Sequence, residues 1–68
     1  MRFEYFIEIK GIINSRELYN KIQIYGANVT DLVFMTFVYG EANINDFIEI
    51  AAACFEFSDI DIHFQRCE

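Results

Sequence analysis

The 68-residue chain carries a net charge of −6 with 54% hydrophobic and 18% aromatic residues; its length bounds it to one domain over residues 1–68 of marginal stability, and its aromatic mass fills a core better than that length suggests. It has no window of about 18 apolar residues and no basic amino-terminal segment ahead of an apolar run, so the sequence predicts neither a membrane span nor a signal peptide, and a cytoplasmic location. No Lys or Arg occurs from Ile22 through Gln65, while Asp31, Glu41, Asp46, Glu49, Glu56, Asp59 and Asp61 fall in that span, a sign that repels phosphate and argues against direct nucleic-acid binding.

From Arg2 to Ile9 the residues alternate. Phe3, Tyr5, Ile7 and Ile9 fall on one side, and Arg2, Glu4, Phe6, Glu8 and Lys10 on the other, the pattern of a strand with one buried face. Phe6 is the exception, a large aromatic among charges on the side that should meet water. Gly11 ends the run.

Asn14, with Glu17 three residues on, resembles a capping box, and Leu18, Ile22 and Tyr25 follow at helical spacing up to Gly26. This predicts a helix over Ser15 to Tyr25. Gly26-Ala27-Asn28 is turn chemistry.

Asp31 to Gly40 is apolar on both alternating sets of side chains, as a central strand is. Gly40 and Asn43 then read as turn and cap. Ile44, Phe47, Ile48, Ala51, Ala52 and Phe55 recur with helical period, the strongest helical signal in the chain. Ser58 to Gln65 alternates again, with Ile60, Ile62 and Phe64 against Asp59, Asp61, His63 and Gln65. Those charges are expected to guard the strand against edge pairing.

Strand, helix, strand, helix, strand predicts an α/β fold of the α+β sandwich kind: βαβαβ, an open-faced three-stranded sheet in order 1-2-3 with two helices on one face. The alternative is a ferredoxin-like βαββαβ arrangement with a short extra strand near residues 27–30. Either leaves one face of the middle strand uncovered. The uncovered set is Leu32, Phe34, Thr36 and Val38, or Val33, Met35, Phe37 and Tyr39, and alternation alone does not choose.

Cys54, His63 and Cys67 are too far apart in sequence for a zinc site. Two cysteines make no disulfide framework, in keeping with a reducing compartment. Cys54 and Cys67 are expected unpaired, with Cys54 at the core edge. Asp59, Asp61 and His63 share one side of a strand, which reads as a solvated face and not as acid and base groups in a pocket. The three glycines are isolated, so no phosphate loop exists. No metal or cofactor is expected, and an enzyme is the weakest class.

An exposed apolar stripe rimmed by acids marks an interaction surface. Its expected contributors are Glu4, Phe6, Glu8, Met35, Phe37, Asp59 and Asp61. The sequence therefore predicts a small acidic protein-interaction module binding another protein with a basic or mixed surface. Its sharpest form is a stoichiometric inhibitor of a nucleic-acid-handling protein, a phage or mobile-element antagonist or an antitoxin that mimics nucleic acid. The alternative is a homodimeric regulatory or small-ligand-sensing domain, paired through the open sheet face.

Overall fold

The computed structural model describes residues 1–66. The chain runs β1 (Arg2–Lys10), α1 (Ser15–Ile22), a 3-10 turn (Gln23–Tyr25), β2 (Asn28–Asp31), β3 (Met35–Asn43), α2 (Ile44–Phe55) and β4 (Ile60–Arg66). The strands form one antiparallel sheet in the order β2-β3-β1-β4. Leu18 and Ile22 of α1 and Phe47, Ile50 and Cys54 of α2 enter the same buried cluster as Tyr5, Ile7, Ile9, Val38 and Ala42. That shared cluster places both helices on one face of the sheet.

The α+β class expected from the sequence holds, with two helices over one sheet face. The arrangement is the four-stranded βαββαβ alternative and not the three-stranded sheet in order 1-2-3. Each crossover skips a neighbour: α1 carries the chain from β1 to β2 past β3, and α2 carries it from β3 to β4 past β1. β1 is therefore an inner strand. It alternates like an outer one because an inner strand of a sheet covered on one side still has one face in solvent.

Asp31 to Gly40 is not one strand. Asp31 closes β2, and the chain reverses through Leu32, Val33 and Phe34 before β3 starts at Met35. The side chain of Asp31 makes the reversal: Oδ1 accepts from the Val33 N–H at 2.7 Å, and Oδ2 accepts from Ser15 Oγ at 2.8 Å. The Leu32 N–H donates to the Met35 carbonyl, and the Gly11 N–H to the Phe34 carbonyl, each at 2.8 Å. An Asp bonding the backbone two residues on is an ordinary way to build a turn. Val33 adopts φ +71° there, a conformation unfavourable to a β-branched residue.

Gly40 marks no turn and lies inside β3 with φ +154°. A Cβ at this position would stand 3.0 Å from Tyr5 Oη and 3.4 Å from Tyr5 Cζ. The residue is small because the Tyr5 ring lies over it, in register across the β1/β3 pair. The first helix is shorter than expected, and the Gln23–Tyr25 turn ends at Gly26 in the left-handed conformation, φ +77°. Both predicted helix caps are made: Asn14 Oδ1 accepts from the Glu17 N–H at 3.1 Å, and Asn43 Oδ1 from the Asp46 N–H at 2.8 Å.

Candidate functional site: the open sheet face

Alternation along the strands decides what lies opposite the helices. In β3, Thr36, Val38 and Ala42 point into the core, so Met35, Phe37, Tyr39 and Glu41 occupy the open face. Of the two sets the sequence left undecided, the odd-numbered one is uncovered, except that Val33 belongs to the turn. Registered side by side, the open face reads Thr30, Phe37, Glu8, Asp61 in one row across the sheet. The next row reads Asn28, Tyr39, Phe6, His63, and the one beyond it Glu41, Glu4, Gln65.

The aromatic centre is a diagonal pair. Phe6 and Phe37 lie with ring centroids 4.9 Å apart, and His63 flanks Phe6 at 6.5 Å. Tyr39 extends the patch toward β2, where Thr30 Oγ1 donates to Tyr39 Oη at 3.5 Å. Phe6 and Tyr39 remain 36% and 40% exposed, so the patch presents ring surface to solvent.

Charge around this centre differs from the uniformly acidic rim expected. Arg2 Nε meets Glu41 Oε1 at 2.8 Å, Lys10 Nζ meets Asp61 Oδ2 at 3.4 Å, and His63 Nε2 lies 4.0 Å from Glu8 Oε1. The bases at the amino terminus, remote in sequence from the acids, are returned to them by the β1/β3 and β1/β4 pairings. The Arg2 and Lys10 pairs are exposed and contribute about 0–1 kcal/mol each. Glu4 has no basic partner among the described residues and stands directly opposite Glu41.

Glu4, Phe6, Tyr39, Glu41, His63 and Gln65 line an open depression of about 620 Å³ at this end of the face. Two aromatic rings beside the Glu4 carboxylate, with Glu41 already carrying Arg2, suit a cationic side chain, which gains from the ring faces and from a charge-assisted hydrogen bond. Of the expected site residues, Glu4, Phe6, Glu8, Met35, Phe37 and Asp61 share this face. Asp59 does not sit in the sheet: it precedes β4, and its carbonyl accepts from the Lys10 N–H at 3.2 Å. Tyr39 belongs to the odd-numbered set that alternation left open, and Glu41 and His63 join the surface without having been singled out for it. The signal was present, since Tyr39 and Glu41 continue the alternation of Phe37.

Among the described residues, Tyr5, Cys54 and Asp31 have displaced ionisation, all away from the centre of the face. Burial pushes the Tyr5 hydroxyl up to about 12, with the nearby Cys54 adding to the shift. Burial likewise pushes the Cys54 thiol up to about 12. The Ser15 and Val33 hydrogen bonds hold the Asp31 carboxyl below its ordinary value. Cys54 is wholly buried in the core rather than at its edge, and on the other side of the sheet from His63. Cys67 lies outside the described residues. Among the described residues, no group of three or more His, Cys, Asp and Glu is placed to hold a metal ion.

Among the described residues, no helix is long and apolar enough to cross a membrane. The fold and this face define a small α+β protein with a four-stranded antiparallel sheet exposed on one side. Comparison with protein-family models, curated proteins and solved structures finds no match.

Proposed function

We propose that this chain is a small acidic protein-interaction module that acts by stoichiometric binding through its open sheet face. The carrying observation is the depression in which Phe6 and Tyr39 are bordered by Glu4 and Glu41. Such a concavity recognises an Arg or Lys side chain projecting from a partner with a basic or mixed surface. The apolar patch of Phe6, Phe37 and Met35 supplies contact area beside it, and the net charge of −6 steers a basic partner toward encounter.

Proteins that handle nucleic acids present surfaces of this kind, with Arg and Lys arrayed for phosphate. The proposed action is inhibition of such a protein, of the phage-antagonist or antitoxin type, by occupying its basic surface. Aromatic side chains on two inner strands of an open sheet also suit base stacking. The carboxylates of Glu4, Glu8, Glu41 and Asp61 around them oppose a phosphate backbone, which favours a protein partner.

Capture from cell lysate on immobilised protein, followed by competition, tests the reading. The expected partner binds nucleic acid, and the two ligands displace each other at one-to-one stoichiometry. Recovery of no partner, or of one indifferent to nucleic acid, contradicts the inhibitor form.

A further inference from the structure

A second surface, on the helix side of the sheet and separate from the open face, is apolar and unpaired. Ile44, Ile48 and Phe55 fall on one line of α2 and are 47%, 55% and 67% exposed. The buried line of the same helix is Phe47, Ile50 and Cys54. The flank of α2 toward α1 is fixed by the Lys21 Nζ to Glu56 Oε2 contact at 3.5 Å, so the exposed line faces the other way, toward β4. There Ile62 and Phe64, in register with the core residues Ile7 and Tyr5, rise from the helix side of the sheet. They are 40% and 61% exposed. Phe64 touches Phe47 and Phe3, with centroids 5.6 and 6.0 Å apart, and is otherwise open. The cluster is half built.

β4 is also a sheet edge. It pairs with β1 on one side and no described strand on the other, and it contains no Pro or Lys to block addition of a further strand. Its charged side chains do not block it either, because their order is complementary to itself. Antiparallel pairing about a two-fold axis through Ile62 sets Asp61 opposite His63 of a second copy, twice, and Ile60 opposite Phe64, twice. On the open side the row becomes Phe37, Glu8, Asp61, then the second copy's His63, Phe6 and Tyr39, so that each Asp61 carboxylate gains an imidazole across the edge. On the helix side, both copies of Ile62 and Phe64 lie beneath the two exposed lines of α2.

We propose that β4 is a dimerisation edge on which a second copy of this chain adds its own β4, extending the sheet and closing the two α2 flanks over Ile62 and Phe64. The Phe6 and Phe37 rings stay free in this assembly while His63 borders both surfaces, so Ile48→Glu, on the helix side, separates loss of the dimer from loss of the proposed partner.

Sedimentation velocity across roughly a hundredfold range of concentration reads the association directly. The wild-type chain is expected to reach twice the monomer mass. Ile48→Glu, at a position in solvent in the single chain, keeps the monomer's melt while weakening association about tenfold or more. Asp61→His and His63→Asp each weaken the dimer, and the double exchange restores it, an outcome peculiar to this register. A chain that stays monomeric throughout overturns the proposal. So does a dimer insensitive to Ile48→Glu and broken by Phe6→Ser, which would place the interface on the open face.

Discussion

Phe6 of β1 and Phe37 of β3 meet with ring centroids 4.9 Å apart on the face of the sheet opposite the helices. Diagonal cross-strand aromatic contacts are worth about 0.5–1 kcal/mol. Phe6→Ser is therefore expected to cost about 1–2 kcal/mol, since the ring is already partly in solvent. Ile7→Ala, one residue along and fully buried, is expected to cost about 2–5 kcal/mol. Urea melts of the two variants check the contrast. If Phe6→Ser unfolds the chain, the ring is part of the core and not a binding group.

Tyr5 and Gly40 constrain each other. A methyl group at position 40 would press on Tyr5 Oη at 3.0 Å, and Tyr5 Oη is itself buried without a hydrogen-bond partner. Gly40→Ala is expected to destabilise by about 1–3 kcal/mol. Tyr5→Phe removes an unpaired hydroxyl and should be neutral or stabilising by about 1 kcal/mol. Combined, the two changes should cost less than Gly40→Ala alone. A double-mutant cycle by thermal denaturation measures the coupling.

The turn at Leu32, Val33 and Phe34 holds strain that can be released. Left-handed backbone costs a residue with a Cβ about 1–2 kcal/mol, and Val33 is β-branched. Val33→Gly is expected to raise stability by about 1 kcal/mol. The carboxylate of Asp31 keeps the turn closed, and its folded-state ionisation lies below the ordinary 3.8. That contribution is present above pH 3.8 and is lost as pH falls through the lower, folded value. Exchange of the Val33 amide proton, followed by NMR toward low pH, should lose protection there before the core amides do.

Alkali should act on the core. The Cys54 thiol and the Tyr5 hydroxyl, ordinarily near 9.0 and 10.0, both lie at about 12 in the folded chain. Each holds its proton more tightly folded than unfolded, so their contribution to stability is constant below about pH 9 and falls as pH rises from there toward 12. The transition should be followed by tyrosinate absorbance coinciding with loss of structure. At neutral pH the native Cys54 thiol should react with a disulfide reagent only at the rate of unfolding.

The strands and helices with one clean period were legible in the sequence: β1, α2 and the Ile60–Phe64 alternation read correctly to within a residue or two. The central region was not. Leu32, Val33 and Phe34 are as apolar as a strand, and only Asp31, with its capacity to bond two residues ahead, signals that the chain turns there. Gly40 misled in the opposite direction, because glycine punctuates a turn in sequence but here accommodates a ring from the neighbouring strand. The open face was legible in part. Phe6 stood out among charges, and its meeting with Phe37 and Tyr39 follows once β1 and β3 are adjacent. The partial neutralisation of the rim was hidden because Arg2 and Glu41 are 39 residues apart, joined only by the pairing of two strands. The apolar flank of α2 was hidden for a different reason. Ile44, Ile48 and Phe55 share the helical period with the buried residues, and only the position of β4 shows that nothing in the described chain covers them.

The claim that the open face seats a cationic side chain is tested most directly by the affinity of the captured partner for four proteins, measured by titration calorimetry. These are the wild type, Glu4→Lys, Phe6→Ser and Ile48→Glu. Glu4→Lys and Phe6→Ser are each expected to weaken binding about tenfold or more, while Ile48→Glu, on the opposite side of the sheet, leaves it unchanged. Equal affinities for the wild type, Glu4→Lys and Phe6→Ser would contradict the account.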